Sequence, residues 1–308
     1  MIPLSAERSA FGRHETFPLR FGWLTKGFAA WCGQQTVFDE DDATVKLGVG
    51  KNMVSAIRYW MLASQVIASR DKLLVATELG KKLFSPEGWD PYLEDDATIW
   101  LVHWLIASNA AEATTPFWFF NRFHKTEFTS KELQDALGDF VREHFHQSRA
   151  SASTLKSDIA LLLRMYEPSQ ASRTLPLEEA LDSPMALLGL MSQQEGSRTH
   201  ESRPDYRSRL PLSTFAFSVA ELFEQTNERV LPVDRLLHSD GHVAAPGSVF
   251  RITEECLVAK IEAMISWLPG RYELRQTAGI HQLYQLKPIE SMDVLGLHYV
   301  GTKARGST

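Results

Sequence analysis

Val45-Lys46-Leu47-Gly48-Val49-Gly50-Lys51-Asn52-Met53-Val54-Ser55-Ala56-Ile57-Arg58-Tyr59-Trp60-Met61 runs on through Leu62 to Ile67 and a Ser69-Arg70-Asp71-Lys72 turn into Leu73-Leu74-Val75-Ala76. Met53, Ile57, Trp60 and Met61 recur at helical spacing, and two short apolar runs about a polar turn read as a two-stranded ribbon. A preceding helix is predicted around Phe21 to Cys32, so Val45 to Phe84 completes the order of a winged helix. In such a module the second helix of a helix-turn-helix pair enters a DNA groove while the wing touches the flanking backbone. Gly48 and Gly50 precede a helix whose first turn carries Lys51 and Asn52, with Ser55 and Arg58 one turn on, a pattern suited to a helix N-terminus lying against a phosphate. Val45 and Asn52 stand where a nucleotide-binding P-loop needs Gly and Ser or Thr, so a nucleoside-triphosphatase fails.

Charge supports the same face. The 308 residues carry 32 Lys and Arg against 38 Asp and Glu, a net −6 that gives no global pull toward nucleic acid. Residues 43 to 72 nevertheless hold Lys46, Lys51, Arg58, Arg70 and Lys72 against the single acid Asp71.

Outward from this unit, similar patterns recur. Thr129-Ser130-Lys131-Glu132 looks like a capped helix start before Leu133, Leu137 and Val141, and Ser153-Thr154 opens a second apolar-periodic helix through Ile159, Leu162 and Leu163, flanked by Lys156 and Arg164. From Val219 to Leu286, helices are predicted near Ala220 to Gln225, Val233 to Leu237 and Glu254 to Trp267, followed by a hairpin turning at Gly279. The expected fold is mainly α with small β-hairpin wings, as tandem winged-helix-like units. The expected division is 1–90, an N-terminal DNA-binding unit; 91–190, a helical middle domain; 191–210, an Arg-rich linker or loop; 211–301, a C-terminal winged-helix-like unit; and 302–308, a disordered basic tail.

Hydrophobic residues at 44%, charged residues at 23% and only 14 Pro and 18 Gly exclude collagen-like and disordered classes. Two cysteines, Cys32 and Cys256, cannot build a disulfide framework or a four-cysteine zinc site, and their scarcity fits a cytoplasmic protein. Glu7 and Arg8 interrupt any secretory leader, and the apolar window Ile99 to Ala111 is too short to span a bilayer, so no membrane association is expected.

The densest polar cluster is Phe11-Gly12-Arg13-His14-Glu15-Thr16-Phe17-Pro18-Leu19-Arg20, running on to Trp23, Lys26 and Gly27. His14 beside Glu15 offers a general base or metal ligand, and Arg13 or Arg20 can hold a phosphate bidentately, which is the inventory of phosphodiester cleavage. Pinning an N-terminal arm to the first unit explains the same groups equally well. His14, Glu15 and Arg20 are the candidate catalytic residues; Arg13, Lys26, Lys51, Asn52, Ser55, Arg58, Lys72 and Lys156 are the candidate DNA contacts. A divalent ion, Mg²⁺ or Mn²⁺, would take Glu15 with Asp90 and Glu94, although helix capping explains the run Glu94-Asp95-Asp96 more simply. His103, His144 and His146 read as satisfied core or interface histidines, and Phe117 to Phe120 with Phe123 as core aromatics. The cysteines, without evident cationic neighbours, read as structural.

Two segments carry a family resemblance: Phe11 to Phe17 with Arg20, Trp23, Lys26 and Gly27, and Leu47 to Val54 with Ile57, Arg58, Tyr59 and Trp60. They resemble the SspB family of bacterial DNA phosphorothioation loci. The likeness continues more weakly through Asp90 to Asp95, Trp100 to Trp104 and Leu155 to Asp158. The resemblance implies a DNA nickase acting beside a cysteine desulfurase, an ATPase and an ATP-pyrophosphatase-like protein. It places no role on His14 or Glu15, whose assignment is chemical. The alternative is a non-catalytic DNA-binding adaptor or transcriptional regulator, which needs no convergence of Glu15 with another acid.

Overall fold

The computed structural model describes residues 1–146, 150–168, 183–277 and 279–305. It is mainly α: among the described residues there are thirteen helices and three small antiparallel sheets of two or three strands. The N-terminal unit holds α1 (Trp23–Gly33), α2 (Ala43–Leu47), α3 (Lys51–Ala63), the hairpin β1 (Ile67–Arg70) and β2 (Leu73–Ala76), and α4 (Glu78–Phe84). Helix α3 forms where the apolar stripe predicts it, burying Val54, Ile57, Trp60 and Met61. It crosses α1 so closely that a Cβ on Gly27 would lie 2.6 Å from both Ile57 and Met61, which makes glycine obligatory there. Asp71 and Lys72 alone turn the β1–β2 hairpin, both at positive φ (50° and 67°), as a two-residue loop matching the strand twist requires.

The next helices are α5 (Asp96–Ala107), α6 (Thr114–Arg122), α7 (Ser130–His144) and α8 (Ala152–Tyr166). Helix α5 is buried on every side from Ala97 to Ala107 and forms the centre of the molecule. Asp95 caps it through Ala97 N–H (2.8 Å), as the capping explanation of the acidic run expects. Within α5, His103 accepts from the Tyr166 hydroxyl at Nδ1 (2.8 Å) and donates from Nε2 to the Val249 carbonyl (2.9 Å), and burial holds its pKa at about 3. The aromatic run 117–120 and Phe123 are buried too. Thr129 and Glu132 form the expected reciprocal capping box at the start of α7. Helix α8 starts earlier than Ser153, because the Ser151 hydroxyl captures the Thr154 N–H (3.1 Å) and so becomes the cap.

The segment expected to be a linker, 191–210, is instead built into the fold. Strands β4 (Ser192–Gln193) and β5 (Thr199–Glu201) join β3 (Glu127–Thr129) in the order β3-β5-β4. Three of its four arginines are tied down: Arg203 pairs with Glu127, Arg207 donates to the carbonyls of Gly189 (2.9 Å) and Arg203 (3.0 Å), and Arg209 meets Asp96 (3.2 Å), while Arg198 is exposed. Local composition signalled exposure, but these long-range partners give the cations fixed places.

The C-terminal part contains α9 (Leu212–Thr226), α10 (Val233–Leu237), α11 (Pro246–Phe250), α12 (Glu254–Trp267) and α13 (Ser291–Arg305). A sheet of β6 (Val230–Pro232), β7 (Tyr272–Thr277) and β8 (Ile280–Gln285), in the order β6-β8-β7, completes it. Helix α13 covers positions 302–305 of the expected disordered tail, and 306–308 lie outside the described residues. One continuous cluster of buried apolar side chains runs from Leu19 to Tyr299 through all of these units. No described helix is long and apolar enough to cross a membrane.

Candidate nucleic-acid interface

The N-terminal loop is locked by long-range bonds that its sequence does not reveal. Asp158 of α8 is buried, and its Oδ1 accepts from His14 Nε2 (2.8 Å) and Gly12 N–H (2.9 Å) while Oδ2 accepts from the Thr115 hydroxyl (2.9 Å). His14 Nδ1 accepts the Thr16 N–H (3.0 Å), which fixes the proton on Nε2 and leaves the ring no free lone pair. Gly12 has φ 71°, and a Cβ there would lie 2.8 Å from Thr154, so this glycine lets the loop approach α8. Glu15 and Thr16 are also left-handed (φ 50° and 65°), held by Arg164 donating to the Thr16 carbonyl. Glu15 points into solvent, and the Arg20 guanidinium lies over the Phe17 and Trp23 rings (5.7 and 5.5 Å).

The cluster therefore separates into a buried lock and an exposed face. Arg13 projects from the locked loop into a cleft of about 490 Å³ that also contains Arg8, Arg58, Glu112 and the hydroxyls of Ser9, Ser55 and Ser69. The cleft lies between the N-terminal arm, α3 and the β1–β2 hairpin. Glu112 pairs with Arg8 and sits 3.9 Å from Arg13; its backbone N–H is fixed by the Asn109 side chain (3.1 Å). Tyr59 lines the wall, and burial together with the negative charges of Asp158 and Glu112 drives its pKa far up, so it stays a neutral phenol.

Of the sequence candidates, the structure brings Arg13, Ser55 and Arg58 into this one cleft. Lys51 and Asn52 are exposed at the N-terminus of α3, Lys72 at the hairpin tip and Lys156 on α8; Lys26 lies beside Gly48. The charge of this face is more balanced than the 43–72 count implies. Arg58 pairs with Asp39 (2.7 Å) and Lys46 with Asp42 (2.8 Å), two acids just upstream of that window. Lys51, Arg70 and Lys72 have no acid within ion-pair distance among the described residues.

The proposed carboxylate set does not assemble. Among the described residues no three His, Cys, Asp or Glu side chains gather to hold a metal ion. Asp90 is buried and spends its carboxylate on the backbone N–H groups of Glu94 (2.9 Å) and Asp95 (3.0 Å), closing the turn before α5. Both cysteines are free. Cys256, contrary to expectation, does have cations nearby, Lys260 and Arg207, yet burial outweighs them and raises its pKa. Arg8 and Glu112 are not among the sequence candidates, and Asp158 enters there only within the resemblance over Leu155 to Asp158; Glu112 does stand as a lone acid in the apolar stretch between α5 and α6.

A family described as a protein of unknown function, DUF4007, matches residues 11–299. An SspB crystal structure superposes with a TM-score of 0.84 at 31% identity, covering 96% of this chain and 89% of that one. The chain belongs to the SspB family. A magnesium ion-bound SspB crystal structure superposes equally well, with a TM-score of 0.83 at 30% identity over the same shares of the two chains. No curated protein matches the sequence significantly. The DUF4007 match includes the locked loop, α3 and the β1–β2 hairpin, while Arg8 and Ser9 of the cleft lie before its first residue.

Proposed function

We propose that this SspB-family chain is a DNA-binding and DNA-nicking component of a phosphorothioate modification and defence system, working with the cysteine desulfurase, ATPase and ATP-pyrophosphatase-like protein that the family resemblance implies. The observation that carries this reading is the cleft, where three guanidiniums and three serine hydroxyls face one carboxylate beside the start of α3 and the hairpin. Guanidiniums bind phosphate oxygens bidentately, and serine hydroxyls add neutral donors, so the lining suits a DNA backbone. Lys51, Asn52 and Lys72 extend the contact along the duplex on either side.

The buried His14–Asp158 pair positions Arg13, while Arg8, Arg13 and Arg58 offset the charge that develops on a phosphodiester during cleavage. Mg²⁺ commonly binds through one or two carboxylates, water and substrate phosphate rather than an all-protein cage. Glu112 would serve as that carboxylate once the DNA phosphates draw Arg8 and Arg13 away from it, and a bound ion would polarise the phosphate.

A non-catalytic DNA adaptor is the second reading. It is favoured by one specific observation: both ring nitrogens of His14 are engaged, so this imidazole offers no general base. Conversion of supercoiled plasmid to open circle separates the two, using wild type, Arg13→Ala and Glu112→Gln with Mg²⁺, with Mn²⁺ and with chelator. Metal-dependent nicking by wild type that Glu112→Gln abolishes supports the nickase. Absence of nicking with DNA binding retained supports the adaptor.

A further inference from the structure

A second histidine–carboxylate pair lies away from the cleft, at the corner where β3 passes into α7. Glu167 Oε1 is 2.6 Å from His200 Nδ1, and His200 Nε2 is 3.2 Å from the Ser130 hydroxyl. A carboxylate at this distance holds the imidazole proton on Nδ1, so Nε2 presents its lone pair to the Ser130 O–H. This order of hydroxyl, imidazole and carboxylate differs from the other two buried histidines. His14 meets a backbone N–H at its second nitrogen and has no lone pair left, whereas His103 faces the buried Tyr166 phenol and is backed by a backbone carbonyl in place of a carboxylate.

We propose that Ser130, His200 and Glu167 form an acyl-transfer site with Ser130 as nucleophile. The elements make the constellation rigid. His200 sits on β5, directly opposite Phe128 of β3, and its ring stacks on that phenyl at 6.0 Å. Ser130 is the first residue of the fifteen-residue helix α7, whose cap is supplied by Thr129 and Glu132 and not by Ser130. The hydroxyl is therefore free of structural duty at the cap. Side-chain exposure of 9% for His200 and 13% for Glu167 keeps the relay shielded from bulk water while Ser130, half-buried, is reachable. Burial also raises the Glu167 pKa, which fits a carboxylate kept out of water behind an imidazole.

Local charge selects the substrate class. Lys125 is paired with Glu132 (2.9 Å), Lys131 with Asp135 (2.6 Å) and Arg203 with Glu127, so these three cations each carry a counter-charge and do not converge on Ser130 as the arginines of the cleft converge on Glu112. An uncharged carboxylic ester fits. Ser130 Oγ attacks the carbonyl carbon while its proton passes to His200 Nε2. The C–O bond to the leaving alcohol breaks as that oxygen takes the proton from Nε2. Water then attacks the acyl-serine, its proton passing through Nε2 to Ser130 Oγ, and the carboxylic acid leaves.

The test is labelling of the full chain with a fluorophosphonate probe, read by mass on the tryptic peptides, with p-nitrophenyl acetate and bis(p-nitrophenyl) phosphate as parallel substrates. The expected result is one adduct on Ser130 and hydrolysis of the acetate alone. Both should be lost in Ser130→Ala, which leaves the capping box intact, and both should fall at least tenfold in Glu167→Gln. No adduct on wild type, an adduct that persists in Ser130→Ala, or preference for the phosphodiester would each overturn the proposal.

Discussion

The first and last helix–hairpin units both place a hairpin after a run of helices but distribute their cations differently. In the N-terminal unit the hairpin has only two strands, its tip is Asp71-Lys72, and Arg70 and Lys72 stand exposed beside the strongly exposed Leu73. The cleft behind it gathers Arg8, Arg13 and Arg58. In the C-terminal unit β7 and β8 are longer and are joined by β6, and two of its arginines are each held by a neighbouring acid. Arg275 meets Glu273 (2.6 Å) and lies 4.5 Å from the Tyr284 ring centre, and Arg235 meets Glu228 (2.7 Å). Backbone order alone does not make a nucleic-acid site. What separates the two units is that three guanidiniums converge on one cleft in the first, sharing Glu112 and Asp39 as counter-charges, with Lys51, Arg70 and Lys72 unpaired beside it among the described residues.

That contrast can be broken at its foundation. Asp158→Ala removes the acceptor shared by His14, Gly12 and Thr115, leaving buried donors unpaired, and should destabilise the protein by about 3 kcal/mol, read as a lower thermal midpoint. Loss of DNA affinity should accompany it, because Arg13 then loses its fixed loop. Next in size, Glu112→Gln frees Arg8 and Arg13 from their acid. DNA affinity measured by fluorescence anisotropy should rise about tenfold while any metal-dependent nicking is lost; weaker binding would remove Glu112 as the counter-charge of the cleft. Lys51→Ala should lower the magnitude of the log–log salt slope of binding by roughly one, and an unchanged slope would remove that contact. The smallest effect belongs to the C-terminal unit: Arg235→Ala and Arg275→Ala should leave both affinity and slope as in wild type, since neither side chain lines the cleft.

Local signals carried the first unit. A stripe of Met53, Ile57, Trp60 and Met61 can only be buried by a helix, and a polar turn between two short apolar runs closes as a hairpin, so α3 and β1–β2 were legible in sequence. The capping box at Thr129 and the N-cap at Asp95 were legible for the same reason, since both act within four residues. What failed was long-range. Asp158 lies 144 residues from His14, and nothing near either residue announces the pair. The charge count over 43–72 overstated the positive face because Asp39 and Asp42, just outside the window, fold back onto Arg58 and Lys46. The Arg-rich segment was read as a linker because its partners Glu127, Asp96 and the Gly189 carbonyl are distant or invisible in composition. The sequence pattern does not predict α2, α4, α6, α11 or α13; α11 is a five-residue turn of helix opened by Pro246, too short to show a period.

The central claim is that the arginine cleft of the N-terminal unit holds DNA phosphates. Its most direct test is a salt titration of duplex DNA binding by wild type and by the Arg13→Ala, Arg58→Ala double variant, with thermal unfolding as a control for folding. The account predicts affinity lower by about a hundredfold at physiological salt and a slope smaller in magnitude by roughly two. A folded double variant that binds with wild-type affinity and slope would contradict it.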